Sequence, residues 1–132
     1  MSVIPGFQGI SKNGDITTIG RGGSDATAVA IAKIFNTDSC EIYTDVDGVY
    51  TTDPRIVKTA SKIREISYGE MLELASLGAR VLHPRAVECA KENGITIHVR
   101  SSFNSNLGTI VKEASSMEVN RPVTGITLNK DA

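Results

Sequence analysis

Between residues 7 and 20, in FQGISKNGDITTIG, short β-rich pieces flank Asn13 and Gly14. That pair accepts the positive φ angles of a tight turn, so the pattern predicts a hairpin. The next apolar positions, Ala28, Ile31, Ala32 and Phe35, fall at helical spacing, with Ser24 placed to cap the helix. CEIYT, residues 40–44, predicts a buried strand. After a loop rich in Asp, Gly and Pro, SYGEMLELASLGA offers Ser67 and Glu70 as a capping box and Gly78 as a stop. PRAVECAKENG predicts a further helix, with Pro84 in its first turn and Gly94 as its C-terminal cap. ITIHV and GTIV read as two more strands. Strand and helix signals in this order predict an α/β fold, an open sheet carrying helices.

The tail changes character. KEASSMEVNRP, residues 112–122, is polar and ends in proline, so it reads as a linker. VTGITLNKDA then starts a β-type segment that the chain does not complete, the expected entry into a second domain.

Composition narrows the possibilities without naming a chemistry. A chain of 132 residues suits one domain with its own core. Its 14 basic and 15 acidic residues point to no nucleic-acid partner and no anionic membrane surface. The two cysteines, Cys40 and Cys89, lack metal-like or pairing spacing and read as reduced core thiols. No apolar run approaches a membrane span, and the first residues lack a basic region followed by an apolar one, so a cytoplasmic protein is expected.

The candidate chemistry lies in two loops. In GRGGSDATA, residues 20–28, the lysine of a Walker-type loop is missing, because Ser24 and Asp25 follow Gly23. The dinucleotide fingerprint fails as well, since Gly20 and Gly22 would need a glycine at position 25. Gly22 and Gly23 still permit close backbone approach, and a helix N-terminus favours an anion. Arg21 can grip a carboxylate or phosphate with two parallel bonds, whereas Asp25 is suited to an ammonium group or a cation. A ligand carrying both charges, such as an amino acid, would satisfy both. The alternative is a plain helix cap in which Asp25 complements the helix dipole.

The second loop, YTDVDGVYTTDPR, follows the predicted strand at residues 40–44, where open α/β sheets place their ligand loops. Thr44, Asp45, Asp47 and Asp53 offer oxygen, Tyr50 an aromatic face and Arg55 a phosphate partner, a mixture that suits a nucleotide. A calcium loop opening at Asp45 would need glycine where Tyr50 stands and glutamate where Ile56 stands, so calcium is disfavoured. No metal site of the protein's own is expected, and a simple turn cluster is the competing reading.

Four ordered stretches, PGFQG, TTIGRGGSDATAVAIA, YTDVDGVYTTDPR and GARVLHPRAVECAKENGITIHVRSSF, resemble the aspartokinase branch of the amino acid kinase family. TDVDG alone is similar to loops of uridylate and glutamate 5-kinases; GRGGSDATA and VLHPRA point to aspartokinase. The likeness runs over roughly residues 3–112. It implies that 1–112 is the C-terminal, nucleotide-binding half of the kinase domain, 113–122 a linker, and 123–132 the first strand of a truncated ACT regulatory domain. The implied fold is a partial open sheet with helices on both faces, incomplete relative to the full domain.

The implied reaction is ATP-dependent phosphorylation of the L-aspartate β-carboxylate, with Mg²⁺ carried by the nucleotide. Phe7, Arg21, Ser24 and Asp25 would surround aspartate, with Arg21 and Asp25 in catalytic roles. Thr44, Asp45, Tyr50, Arg55 and Arg80 would contact ATP, Arg80 standing where family members often have lysine. His83 and Pro84 mark the family, and His83 is expected to be structural, since this reaction gives it no obvious proton to move. The family's phosphate-binding N-terminal segment has no counterpart in these 132 residues. Little activity is therefore expected without that half, supplied in cis or trans, and a homo-oligomer is expected. A noncatalytic nucleotide-binding module and another kinase of the family are the alternatives.

Overall fold

The computed structural model describes residues 1–79, 81–114 and 123–127. Arg80, most of the expected linker and the end of the expected terminal strand, residues 128–132, lie outside the described residues.

The predicted hairpin is present as β1 (Gln8–Ile10) and β2 (Ile16–Thr18), antiparallel with Ile10 opposite Ile16. Its turn is organised by Ser11, whose hydroxyl accepts from the amides of Asn13 and Asp15, and Gly14 takes the expected positive φ of 89°. This ribbon is separate from the main sheet.

Helix α1 spans Gly23–Ile34, but Ser24 is not its cap. Gly22 is, in the left-handed conformation at φ 75°, and Ser24 already stands exposed in the first turn. A serine cap needs extended backbone angles; here the chain turns in through a glycine instead. Of the expected apolar stripe, Ala28 and Ala32 face the core. Val29 and Ala32 are buried, whereas Phe35 lies beyond the last helical residue and is 67% exposed.

Strand β3 (Ser39–Thr44) follows after a short turn, so it runs back along α1 and brings Thr44 to the end of the molecule where α1 begins. The sequence pattern predicts a buried strand. Only Ile42 is fully buried, because β3 is an edge strand among the described residues.

The capping box is as predicted. In it the Glu70 amide donates to Ser67 Oγ at 3.2 Å and the Ser67 amide to Glu70 Oε2 at 3.0 Å, opening α2 (Tyr68–Ser76). A short strand, β4 (Glu65–Ser67), precedes it and was not signalled by any alternation. Helix α3 (Pro84–Asn93) begins with Pro84 in its first turn and ends on left-handed Gly94, as expected. Strands β5 (Thr96–Ser101) and β6 (Thr109–Lys112) complete a sheet of order β3-β5-β6-β4. The β3/β5 and β4/β6 pairs are parallel, and β5/β6 is antiparallel.

The α/β reading therefore holds, with a mixed, open sheet, but the described helices lie on one face of it and not on both as expected. In register, Ile42 and Val99, Ile97 and Val111, and Ile66 and Val111 are paired. These buried side chains form one face, against which α1, α3 and α2 pack side by side in a single layer. The alternate residues line the other face and, Ile110 apart, are polar. Glu41 accepts from Tyr43 Oη at 2.7 Å and from Arg100 Nη1 at 3.2 Å, and Lys112 pairs with Glu65 at 2.7 Å.

Residues 123–127 form no strand, but they are anchored. The Ile126 amide donates to the Thr51 carbonyl at 2.7 Å, and the Thr124 hydroxyl bonds Glu70, the capping-box acid.

Burial on the helical face supplies most of the stability. Ile97 is fully buried at its centre, so Ile97→Ala is expected to cost about 2–5 kcal/mol in denaturant unfolding.

Candidate functional site

Three segments distant in sequence converge at the start of α1. Phe7 adopts a left-handed φ of 66°, unusual outside glycine, and its carbonyl accepts from the Ile19 amide at 3.0 Å. This turns the Phe7 ring onto Gly23: a Cβ there would lie 3.3 Å from Phe7 Cδ2. Gly6 packs similarly on Ser24 and Thr27. Phe7, Ser24 and Asp25 are thus brought to one place, beside amides of a first helical turn that lie ahead of the helix's own bonding pattern. Arg21, next to them in the loop, is exposed and makes no ion pair with the described residues. The geometry offers an exposed cation and a sheltered carboxylate on one short loop.

Burial raises the Asp25 carboxyl above the ordinary aspartate range, and nearby His83 offsets part of that rise. His83 comes from the turn before α3. Its Nδ1 accepts from the Arg85 amide at 3.3 Å, capping that helix. Arg85 in turn reaches back to donate Nη1–H to the Ile19 carbonyl at 2.8 Å. The HPR turn and the glycine loop, about sixty residues apart in sequence, are therefore in contact.

The second loop leaves the carboxyl end of β3. Thr44 Oγ1 donates to Asp45 Oδ1 at 3.0 Å. Tyr50 is held by a different carboxylate: its hydroxyl donates to Asp47 Oδ1 at 2.8 Å, while Asp47 Oδ2 accepts from Lys62 Nζ at 2.7 Å and Asn106 Nδ2 at 3.3 Å. These bonds, Lys62 first, pull the Asp47 carboxyl below its usual range, whereas donating to that carboxylate pushes the Tyr50 phenol up. Arg55 projects into solvent with its guanidinium forked onto Asp53 at 3.0 and 2.9 Å. The structure thus separates the expected nucleotide residues into a tied-down pair, Thr44 and Tyr50, and an exposed arginine.

Both limbs of this loop hang from one buried hydroxyl. Thr109 Oγ1, on β6, accepts from the Val49 amide at 2.8 Å and donates to the Ile63 carbonyl at 2.6 Å. The limbs also pair with each other, Ile63 amide to Val49 carbonyl at 2.8 Å. Gly48 is left no room for a side chain, because a Cβ would come within 2.7 Å of the same hydroxyl.

Sequence reasoning missed His83, Arg85, Lys62, Asn106 and Thr109 as site components. The VLHPRA motif was a signal for the first two. Thr109 stands 60 residues from Val49 and carried none.

The model of the amino acid kinase family matches residues 1–101. The chain belongs to the amino acid kinase family. Its similarity to characterised members is specific. An aspartokinase from Bacillus sp. (strain MGA3) is 59% identical over 129 residues, covering 98% of this chain and 31% of the relative. Among solved structures, Clostridium acetobutylicum aspartate kinase matches with a TM-score of 0.82 and 42% identity, covering 92% of this chain and 28% of that one. E. coli aspartokinase III, crystallised in complex with aspartate and ADP, matches with a TM-score of 0.77 and 42% identity, covering 85% and 25% of the two chains. This family member therefore spans about a third of the length of its aspartokinase relatives. Among its described residues, no helix is long and apolar enough to cross a membrane.

Two outcomes follow from the site's construction. Thr109→Val strands the Val49 amide and the Ile63 carbonyl, and should cost about 1–3 kcal/mol while accelerating hydrogen exchange at Val49 and Ile63. For Asp25 the folded pKa is raised, so the folded state holds more protons than the unfolded one just above the ordinary aspartate range. Stability should fall as pH rises through that window. Asp25→Asn should remove the fall and raise the thermal midpoint at neutral pH, with no gain below the window.

Proposed function

We propose that this chain carries the acceptor and nucleotide sites of an aspartate kinase, which phosphorylates the β-carboxylate of L-aspartate to 4-phospho-L-aspartate at the expense of ATP. The observation that carries the reading is the convergence of Phe7, Gly23 and Ser24 around a half-buried Asp25 beside an exposed Arg21, in a chain whose relatives are aspartokinases. Arg21 binds a substrate carboxylate through its fork, and Asp25 faces the ammonium group and organises the loop. Both charges of a zwitterionic acceptor are then matched.

Thr44, Asp45, Tyr50, Arg55 and Arg80 are assigned to ATP. Mg²⁺ enters with the nucleotide and supplies charge neutralisation on its phosphates. The acceptor carboxylate, with a pKa of about 4, is ionised at neutral pH and needs no general base. What the residues must do is hold two anions in line and offset the charge of the moving phosphoryl group. In this reading residues 1–112 are the C-terminal half of the kinase domain, 113–122 a linker, and 123–132 the start of an ACT domain. A homo-oligomer and a cytoplasmic location belong to the same reading.

A second reading, nucleotide binding without catalysis by this chain alone, is favoured by its spanning only about a third of its relatives. The two separate experimentally. The 132-residue chain is mixed with a chain carrying the N-terminal part of a related aspartokinase, and aspartyl phosphate is trapped as its hydroxamate. Product formed only in the mixture supports the kinase reading. Binding of ATP·Mg, weakened up to about tenfold by Arg55→Ala, with no product in any mixture, supports the second.

A further inference from the structure

We propose that His83 and Arg85, at the start of α3, are positioning residues that set the conformation of the glycine loop and, through it, the placement of Asp25. The role assigned to Asp25 rests on the kinase reading; the coupling between the two turns does not.

Two contacts span the gap between the turns. The first is steric. Gly22 holds φ 75°, and a Cβ on it would lie 2.3 Å from His83 Cγ and 2.6 Å from Nδ1. The imidazole therefore lies flush against the backbone at the residue that caps α1, leaving space only for hydrogen. The second is polar. Arg85 Nη1 donates to the Ile19 carbonyl at 2.8 Å, three residues before the same glycine. The loop between Ile19 and Gly23 is thus braced on one side by a ring and tied on the other by a guanidinium. Helices α1 and α3 pack against each other behind these contacts, so the brace has a rigid base.

The ring's orientation is itself determined. Nδ1 accepts from the Arg85 amide, so it carries a lone pair, and the neutral imidazole bears its proton on Nε2. An ordinary helix cap would need only such an acceptor, which Asn supplies as well. What Asn lacks is the ring surface against Gly22. His83→Asn therefore separates capping from bracing.

The test uses the 132-residue chain and its mixture with the N-terminal part of a related aspartokinase. In His83→Asn, circular dichroism and the thermal midpoint should stay near those of the parent. The Gly22 and Gly23 amide resonances should shift, and the Asp25 carboxyl titration should move. In the mixture, the KM for aspartate should rise on the order of tenfold with the KM for ATP unchanged. If His83→Asn does not fold, Arg85→Met leaves the cap in place and should shift the Ile19 to Gly22 amides by itself. Unchanged loop resonances in the folded variants overturn the proposal. Absence of turnover in the parent mixture counts against the kinase reading alone, because the resonances still decide the brace.

Discussion

The hydroxyl of Thr109 is the smallest group on which a large part of this structure depends. It is fully buried on β6, yet it bonds both limbs of an excursion that begins at the end of β3 and returns before β4. Loops of this length ordinarily run over the surface with water satisfying their backbone. Here the limbs enter the protein, and a single side chain takes one amide and one carbonyl that water cannot reach. Everything the loop presents follows from that anchorage, including the Tyr50 ring held by Asp47 and the Arg55 fork standing in solvent.

The carboxylates around the two loops have opposite energetic characters. Asp47 gathers Lys62, Tyr50 and Asn106 and is held in its charged form, so it behaves as a structural fastener. Asp25 is half-sheltered without an ion-pair partner among the described residues, and its charge works against folding at neutral pH. A carboxylate kept at such a cost, on a loop whose neighbours include an exposed arginine, is what a binding site for a charged small molecule requires. The two aspartates look alike in sequence, and only their surroundings set them apart.

What could be read from the sequence was what local rules determine. The Ser67–Glu70 box, Pro84, Gly94 and the Asn13–Gly14 hairpin each depend on residues within one turn of each other, and each is present. The cap of α1 falls on a left-handed Gly22 packed against a histidine 61 positions away, and a good capping residue next door goes unused. Phe35 followed the helical spacing one residue past the end of α1 and so faces water. Strand β4 is too short to show a period. At the site, the resemblance of the loops located the candidate residues, but two of the parts that hold them (Thr109, Lys62) sit at separations no motif encodes.

The sheet's second face bears on how this segment behaves as an independent body. Its charges answer one another across neighbouring strands, Glu41 with Arg100 and Glu65 with Lys112, and Tyr43 adds a hydroxyl to Glu41 along the same strand. The Arg100 guanidinium also lies 5.7 Å from the centre of the Tyr43 ring. A face of this kind exposes little that is sticky, and it places a charged residue on the edge strand β3, a common defence against strand-to-strand aggregation. Glu41, Arg100, Glu65 and Lys112 already have partners on this face, so a second surface laid against it would have to compete with ion pairs that exist.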